Sequence, residues 1–209
     1  IQRLTSHLAN QIAAGEVIQR PASVVKELLD NAVDSGAGEI KLLVKEAGKL
    51  LIQVNDNGCG MGPTDARMSF ERHATSKIKS AEDLFAIQTK GFRGEALASI
   101  ASVAQVEMKT RRHEDSIGTR IQISDSKIRL QEGCACLPGT QISVEQLFFS
   151  IPARRKFLKS DTVELRHIHD EFISQALAHP EIKWVYTQGE NEMYNLPAGS
   201  LKQRILNIY

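Results

Sequence analysis

The sequence predicts a two-layer α/β protein, in which a mixed, mostly antiparallel sheet carries helices on one face. Three observations lead there. Short β-rich runs pair off around turn residues. Few of them alternate with helices in the β-α-β manner. The helical segments have broad apolar faces that need a sheet to cover them. With 209 residues the chain fits one large domain, or one domain and a piece of another. Hydrophobic residues at 42%, charged residues at 24% and aromatics at 5% exclude a disordered, collagen-like or disulfide-scaffold chain. No run of about 18 apolar residues is present, so no membrane span is expected, and residues 1–3 show no signal-peptide pattern. Lys plus Arg number 26 and Asp plus Glu 25, a net charge of +1 that argues against a dedicated polyanion binder but not against local patches.

The elements follow in order. Residues 2–16 read as a helix on Leu4, Leu8, Ile12 and Ala13. Pro21 precedes a second helix over 23–35, which Ser23 can cap and the Ser35-Gly36-Ala37-Gly38 stretch ends. Strands at 39–46 and 50–55 flank a short hairpin loop, Ala47-Gly48-Lys49. Residues 56–62 read as loop and 63–73 as helix. A polar stretch over 74–92 holds a short helix near 82–87, and a small-residue helix spans 94–102. Strands follow at 103–110, 119–124, 127–132 and 141–145, then helices at 153–158 and 161–179. A last hairpin turns about Gly189, and residues 200–209 begin a further helix.

On the second helix Val24, Val25, Leu28, Leu29, Ala32 and Val33 form the apolar half, while Glu27, Asn31 and Asp34 share another face. A carboxylate there can take a proton from water, and an amide oxygen can join a hard cation such as magnesium. A solvated polar face is the plain alternative. Asp56-Asn57-Gly58-Cys59-Gly60-Met61-Gly62 follows an apolar strand; its glycines allow close backbone approach to a flat ligand, and an acid at the strand end can accept from an exocyclic amine. A tight turn with no ligand explains the glycines equally well. Gly91 to Leu97 sets a cation between two glycines before a helix whose free amides can hold phosphate. Thr75, Ser76 and Lys77 add hydroxyls and an ammonium upstream, and Pro138-Gly139-Thr140 turns into a strand. The chain has neither a P-loop nor a dinucleotide fingerprint. Cys59, Cys134 and Cys136 lack zinc spacing and read as buried thiols, and His167 and His169 as surface residues.

Taken in order, these features resemble the GHKL ATPase superfamily, known for the Bergerat ATP-binding α/β sandwich. Residues 8–17, 20–28, 72–78, 91–97 and 148–158 tighten the match to the MutL family of DNA mismatch repair proteins, over nearly the whole chain. That resemblance implies ATP and Mg2+ as cofactors and slow ATP hydrolysis. Glu27 would activate water, Asn31 hold the metal, and Asp56 read the adenine amine. Gly58, Gly60 and Met61 would form the loop that admits nucleotide. Thr75, Ser76 and Lys77 would lie in a lid. Gly91, Phe92, Arg93, Gly94, Glu95, Ala96 and Leu97 would hold the triphosphate, and Thr140 would lie near adenine. Asp30 stands where many relatives have glutamate, on what reads as the helix shoulder. The resemblance also implies an intracellular repair protein, cytoplasmic if bacterial and nuclear if eukaryotic. Its partners would be mismatch-recognition and other repair proteins, and its N-terminal regions would dimerise with ATP. Residues 1–198 would form the ATPase domain and 199–209 the start of a second subdomain that supplies a lysine to the γ-phosphate, so this chain is expected to hydrolyse ATP weakly. Arg154, Arg155, Lys156 and Lys159 can neutralise DNA phosphates without base readout, as can Lys109, Arg111, Arg112 and His113; a solvated basic helix face is the equal alternative. The alternatives are a nucleotide-gated interaction module without appreciable hydrolysis, or another GHKL branch.

Overall fold

Period-two burial runs through the strands and fixes which face of the sheet is covered. In the computed structural model, which describes residues 14–72, 74 and 94–209, Ile40, Leu42 and Val44 of β1 (Glu39–Lys45) turn inward, as do Ile52 and Val54 of β2 (Leu51–Asp56). Val106 and Met108 of β3 (Gln105–Arg111), Ile121 and Ile123 of β4 (Gly118–Ser124), and Ile142 and Val144 of β6 (Gly139–Glu145) continue that layer. Trp184 and Tyr186 of β7 (Lys183–Gln188) close it. With β5 (Lys127–Cys134) and β8 (Asn191–Leu196) at the edges, the order is β5-β4-β3-β6-β2-β1-β7-β8. Among the described residues every pairing is antiparallel except β1 with β7. The mixed, mostly antiparallel sheet of the two-layer α/β fold is therefore present.

Helix α1 (Pro21–Asp34) lays Val24, Val25, Leu28, Leu29 and Ala32 into the core; each large apolar side chain so buried contributes about 1.5–3 kcal/mol. Beside it α5 (Asp161–Ala178) buries Ile168, Phe172 and Ile173, with Phe172 edge-on to Trp184 at 5.9 Å. A buried hydrogen bond from Gln175 Nε2 to Asp30 Oδ1, 2.7 Å long, ties the two helices. Helix α3 (Ala96–Val103) buries Ala98, Ser99, Ala101 and Ser102, small residues that leave no bulk between it and the structure it packs on. The opposite sheet face is polar. There Glu107 accepts from Arg120 at 2.7 and 2.9 Å and from Gln122 at 2.9 Å. Helices α2 (Pro63–Met68) and α4 (Pro152–Phe157) are short. The last helix, α6 (Leu201–Ile208), opens on a Ser200–Gln203 capping box and docks through buried Arg204, whose Nη2 donates to the carbonyls of Pro180, Ile182 and Pro197.

Several local expectations change. Helix α1 starts at Pro21 with Arg20 as its N-cap, and Ser23 does not cap it, because a proline at the first helical position is already preorganised there. The β1–β2 connection is longer than Ala47-Gly48-Lys49: it begins at Glu46, and Glu46, Ala47 and Gly48 all have positive φ. Helix α2 stops at Met68 rather than near residue 73. Asp56 is the last residue of β2, not loop, and β5 runs on to Cys134. Among the thiols Cys59 is exposed and Cys134 and Cys136 are half-buried, so none is a core thiol. His167 and His169 are half-buried, and His169 packs on Tyr194. The expected helices over 2–16 and 82–87 lie outside the described residues, apart from a helical turn at 14–17.

Candidate functional site

Strand β2 lies inside the sheet between β1 and β6, and its last residue, Asp56, pairs with Ile40 on one side and Thr140 on the other. The residue is half-buried there. Its Oδ1 accepts from the Gly58 N–H at 2.9 Å, with the Ser35 hydroxyl at 3.3 Å. Burial pushes the carboxyl up to about 6, although the Gly58 amide, the Ser35 hydroxyl and the Thr140 amide all pull the other way. A carboxylate held this way gains from any further donor brought to it.

The glycines around Asp56 are explained first by the protein itself. A Cβ on Gly58 would fall 1.9 Å from Ser35 Oγ. Gly60, at φ +65°, would put its Cβ 2.0 Å from the Arg111 carbonyl oxygen. Gly139, at φ +108°, would put its own 2.1 Å from the Asp56 carbonyl oxygen. Four chain segments thus meet here, at three approaches too close for any Cβ. The Cys59 N–H donates to the Ser35 carbonyl at 3.0 Å, and the Met61 N–H to Thr110 Oγ1 at 3.0 Å.

Ser35 also sets the site's direction, since it directly follows α1. Asn31, one turn back, receives the Ser35 N–H on its carbonyl at 3.0 Å. Glu27 lies two turns back, about 12 Å along the axis at about 1.5 Å per residue. Asp56 therefore sits at the C-terminal end of the helix and Glu27 toward its N-terminal end. Glu27 is half-buried and borders a cavity of about 230 Å³ between α1 and α5, lined also by Arg20, Ser23, Lys26, His167 and Asp170. Asp30 is not a helix-shoulder residue. It is 3% exposed and held by Lys26 at 2.6 Å and by Gln175.

Gly94, Glu95, Ala96 and Leu97 lead into α3, whose first-turn amides have no acceptors within the helix. Gly94 lies against Ala74: a Cβ would meet the Ala74 carbonyl oxygen at 2.3 Å. Thr75, Ser76, Lys77, Gly91, Phe92 and Arg93 lie outside the described residues. Of the basic residues, Arg155, Lys156 and Lys159 are exposed, whereas Arg154 turns inward over the Phe148 ring and against Gly15. Lys109, Arg111, Arg112 and His113 are each engaged by protein acceptors. Lys109 pairs with Glu107 and Arg112 with Asp115, Arg111 donates to the Cys136 and Asp115 carbonyls, and the His113 ring meets the Gly58 carbonyl. Asn57, Thr110 and the Ser35 hydroxyl also belong to this end of the site. Asn57 carries a signal, because an Asn after a strand suits a turn; its Oδ1 takes the Gly38 and Glu39 amides, both at 2.8 Å. Thr110 carries none.

Residues 19–147 match the family model of the histidine kinase-, DNA gyrase B- and HSP90-like ATPases. The whole chain is 62% identical to the DNA mismatch repair protein MutL of Flavobacterium psychrophilum and 57% identical to that of Bacteroides fragilis, covering 34% and 33% of those proteins. It thus spans about a third of the length of the curated relatives it matches. Among solved structures, the Aquifex aeolicus MutL ATPase domain complexed with ADP superimposes with a TM-score of 0.74 at 29% identity, over 92% of this chain and 69% of that one. On the family-model match the chain belongs to the family of histidine kinase-, DNA gyrase B- and HSP90-like ATPases.

Proposed function

We propose that this chain is the ATP-binding and slowly ATP-hydrolysing region of a mismatch repair protein, and that nucleotide lies along α1 with its base at Asp56 and its phosphates toward Glu27. The observation that carries the reading is the Asp56 carboxylate, half-buried at an interior strand end and joined through Ser35 to the helix bearing Asn31 and Glu27. Adenine offers an exocyclic amine, which suits a buried acceptor; guanine offers a carbonyl there, which does not. Glu27 takes a proton from the attacking water, a role worth about 10²–10⁴-fold in rate. The α3 amides following Gly94 and Glu95 face the phosphates.

Magnesium fits this site in one way only. Among the described residues no group of three or more His, Cys, Asp or Glu could hold a metal. A single Asn31 amide oxygen suits an ion that keeps several waters and takes its other ligands from phosphates. When bound it neutralises phosphate charge. Asn31 orients it, and the protein steps remain those of Glu27 and Asp56.

Nucleotide binding drives a conformational and dimerisation switch that signals to repair partners, residues 199–209 lead toward a second subdomain, and Arg155, Lys156 and Lys159 contact DNA phosphates. Among the described residues no helix is long and apolar enough to cross a membrane. Titration of the chain with ATP and GTP tests the core claim. Tighter ATP binding is expected, falling about 10–100-fold in Asp56→Asn, and equal affinities in the unmodified chain would refute the assignment of Asp56.

A further inference from the structure

Thr110 is fully buried on β3, distant in sequence from the motifs that flag the site. Its Oγ1 has three polar neighbours, each at 3.0 Å: the Met61 amide, the Gly139 carbonyl oxygen and the Thr140 hydroxyl. A hydroxyl carries one proton and two lone pairs. The Met61 N–H can only donate, so it takes one lone pair. The Gly139 carbonyl can only accept, so it takes the proton. One lone pair is left, and only the Thr140 proton can fill it. Thr140 stands opposite Asp56 in the β2–β6 register. With its proton directed at Thr110, its hydroxyl has only lone pairs to offer a ligand beside Asp56.

We propose that Thr110 is a positioning residue for base selection: by accepting the Thr140 proton it makes Thr140 an acceptor next to Asp56, so the site selects a purine with a 6-amino group over one with a 6-oxo group. This rests on the reading of the Asp56 end as the base-recognition end, and it adds a residue to it. An amine supplies two N–H donors to this pair of acceptors; a 6-oxo group supplies none and faces two acceptors. Without Thr110's lone pair the Thr140 hydroxyl is free to rotate and donate to a 6-oxo group.

The test uses ATP and inosine triphosphate, which differ at position 6, titrated calorimetrically into the whole chain. The unmodified chain is expected to prefer ATP. Thr110→Val should lower the ATP-to-inosine triphosphate affinity ratio by about 3–10-fold, the worth of one buried hydrogen bond. Thr110→Ser should keep the ratio. Adding Thr110→Val to Thr140→Val should lower it no further, because Thr110 acts through Thr140. A merely structural Thr110 would weaken both nucleotides alike. The proposal is overturned by an unchanged ratio in folded Thr110→Val, or by a Thr110→Ser ratio as low as that of Thr110→Val. Should Thr110→Val fail to fold, an unchanged ratio in Thr140→Val overturns it equally. An unmodified chain that binds both nucleotides equally would instead refute the role of Asp56, so the two failures are distinguishable.

Discussion

The two ends of α1 are built on different principles. At its C-terminal end, Ser35, Asp56, Gly58, Gly60, Thr110 and Gly139 meet through backbone contacts and short hydrogen bonds, with small residues at the points of closest approach. Toward its N-terminal end, Glu27 borders a cavity of about 230 Å³ among long charged side chains. A site that must read a rigid, flat base gains from fixed donors and acceptors, which cost no reordering on binding. A site where a proton and a phosphate must come and go needs room. On the proposed reading, base recognition and hydrolysis share one helix yet should be separable by mutation.

The largest effect should follow from breaking the close-packed end. Gly60→Ala places a Cβ against the Arg111 carbonyl at a φ that L residues rarely adopt. Strain and overpacking together should cost about 2–5 kcal/mol, read as a fall in Tm and loss of nucleotide binding. Gly36→Ala also takes up a left-handed φ, but nothing lies within 4 Å of its Cβ. It should cost only the strain, about 1–2 kcal/mol.

Asp56→Asn comes next, and it should act in two directions. The folded-state pKa of Asp56 is raised from 3.8 to about 6. The folded protein therefore holds an extra proton between those values, and its stability falls as pH rises through that window. The burden is absent below about pH 4 and full above about pH 6, at most about 3 kcal/mol from the shift. Asp56→Asn should therefore melt higher than the unmodified chain at pH 8 while binding ATP more weakly. Affinity should also fall in the unmodified chain as pH drops below about 6. The terminal phosphate titrates in the same range, so the informative quantity is the extra loss relative to Asp56→Asn. Equal pH profiles for the two chains would count against a charged acceptor.

At the hydrolytic end, Asn31→Ala should weaken the magnesium dependence of nucleotide binding several-fold and leave magnesium-free binding unchanged. The smallest effect is expected of Arg129→Ala on edge strand β5. Arg129 pairs with Asp125 at 3.6 Å and both side chains are substantially exposed, so stability should change by no more than about 1 kcal/mol in a denaturant titration.

Much of this was legible in the sequence because it is local. The apolar half of α1 repeats at helical spacing, the strands alternate, and Asp56 follows an apolar run into a glycine-rich turn. What could not be read is non-local. Gly58 fits Ser35, Gly60 fits the Arg111 carbonyl and Gly139 fits the Asp56 carbonyl only after the sheet has aligned segments far apart in the chain. Thr110 looks like any strand threonine until Met61, Gly139 and Thr140 converge on its hydroxyl. Charge spacing misled for the same reason. Arg154 belongs to a run of cations in sequence but packs against Phe148, and the cations near Arg111 are spent on protein acceptors. Asp30 reads as an exposed shoulder only while the position of α5 is unknown.

The separation of recognition from hydrolysis is tested most directly by Glu27→Ala, measuring ATP affinity and magnesium-dependent phosphate release on the same preparation. The account predicts affinity within about threefold of the unmodified chain and phosphate release lowered at least about 100-fold. Release at the unmodified rate, or loss of binding in step with loss of release, would contradict it.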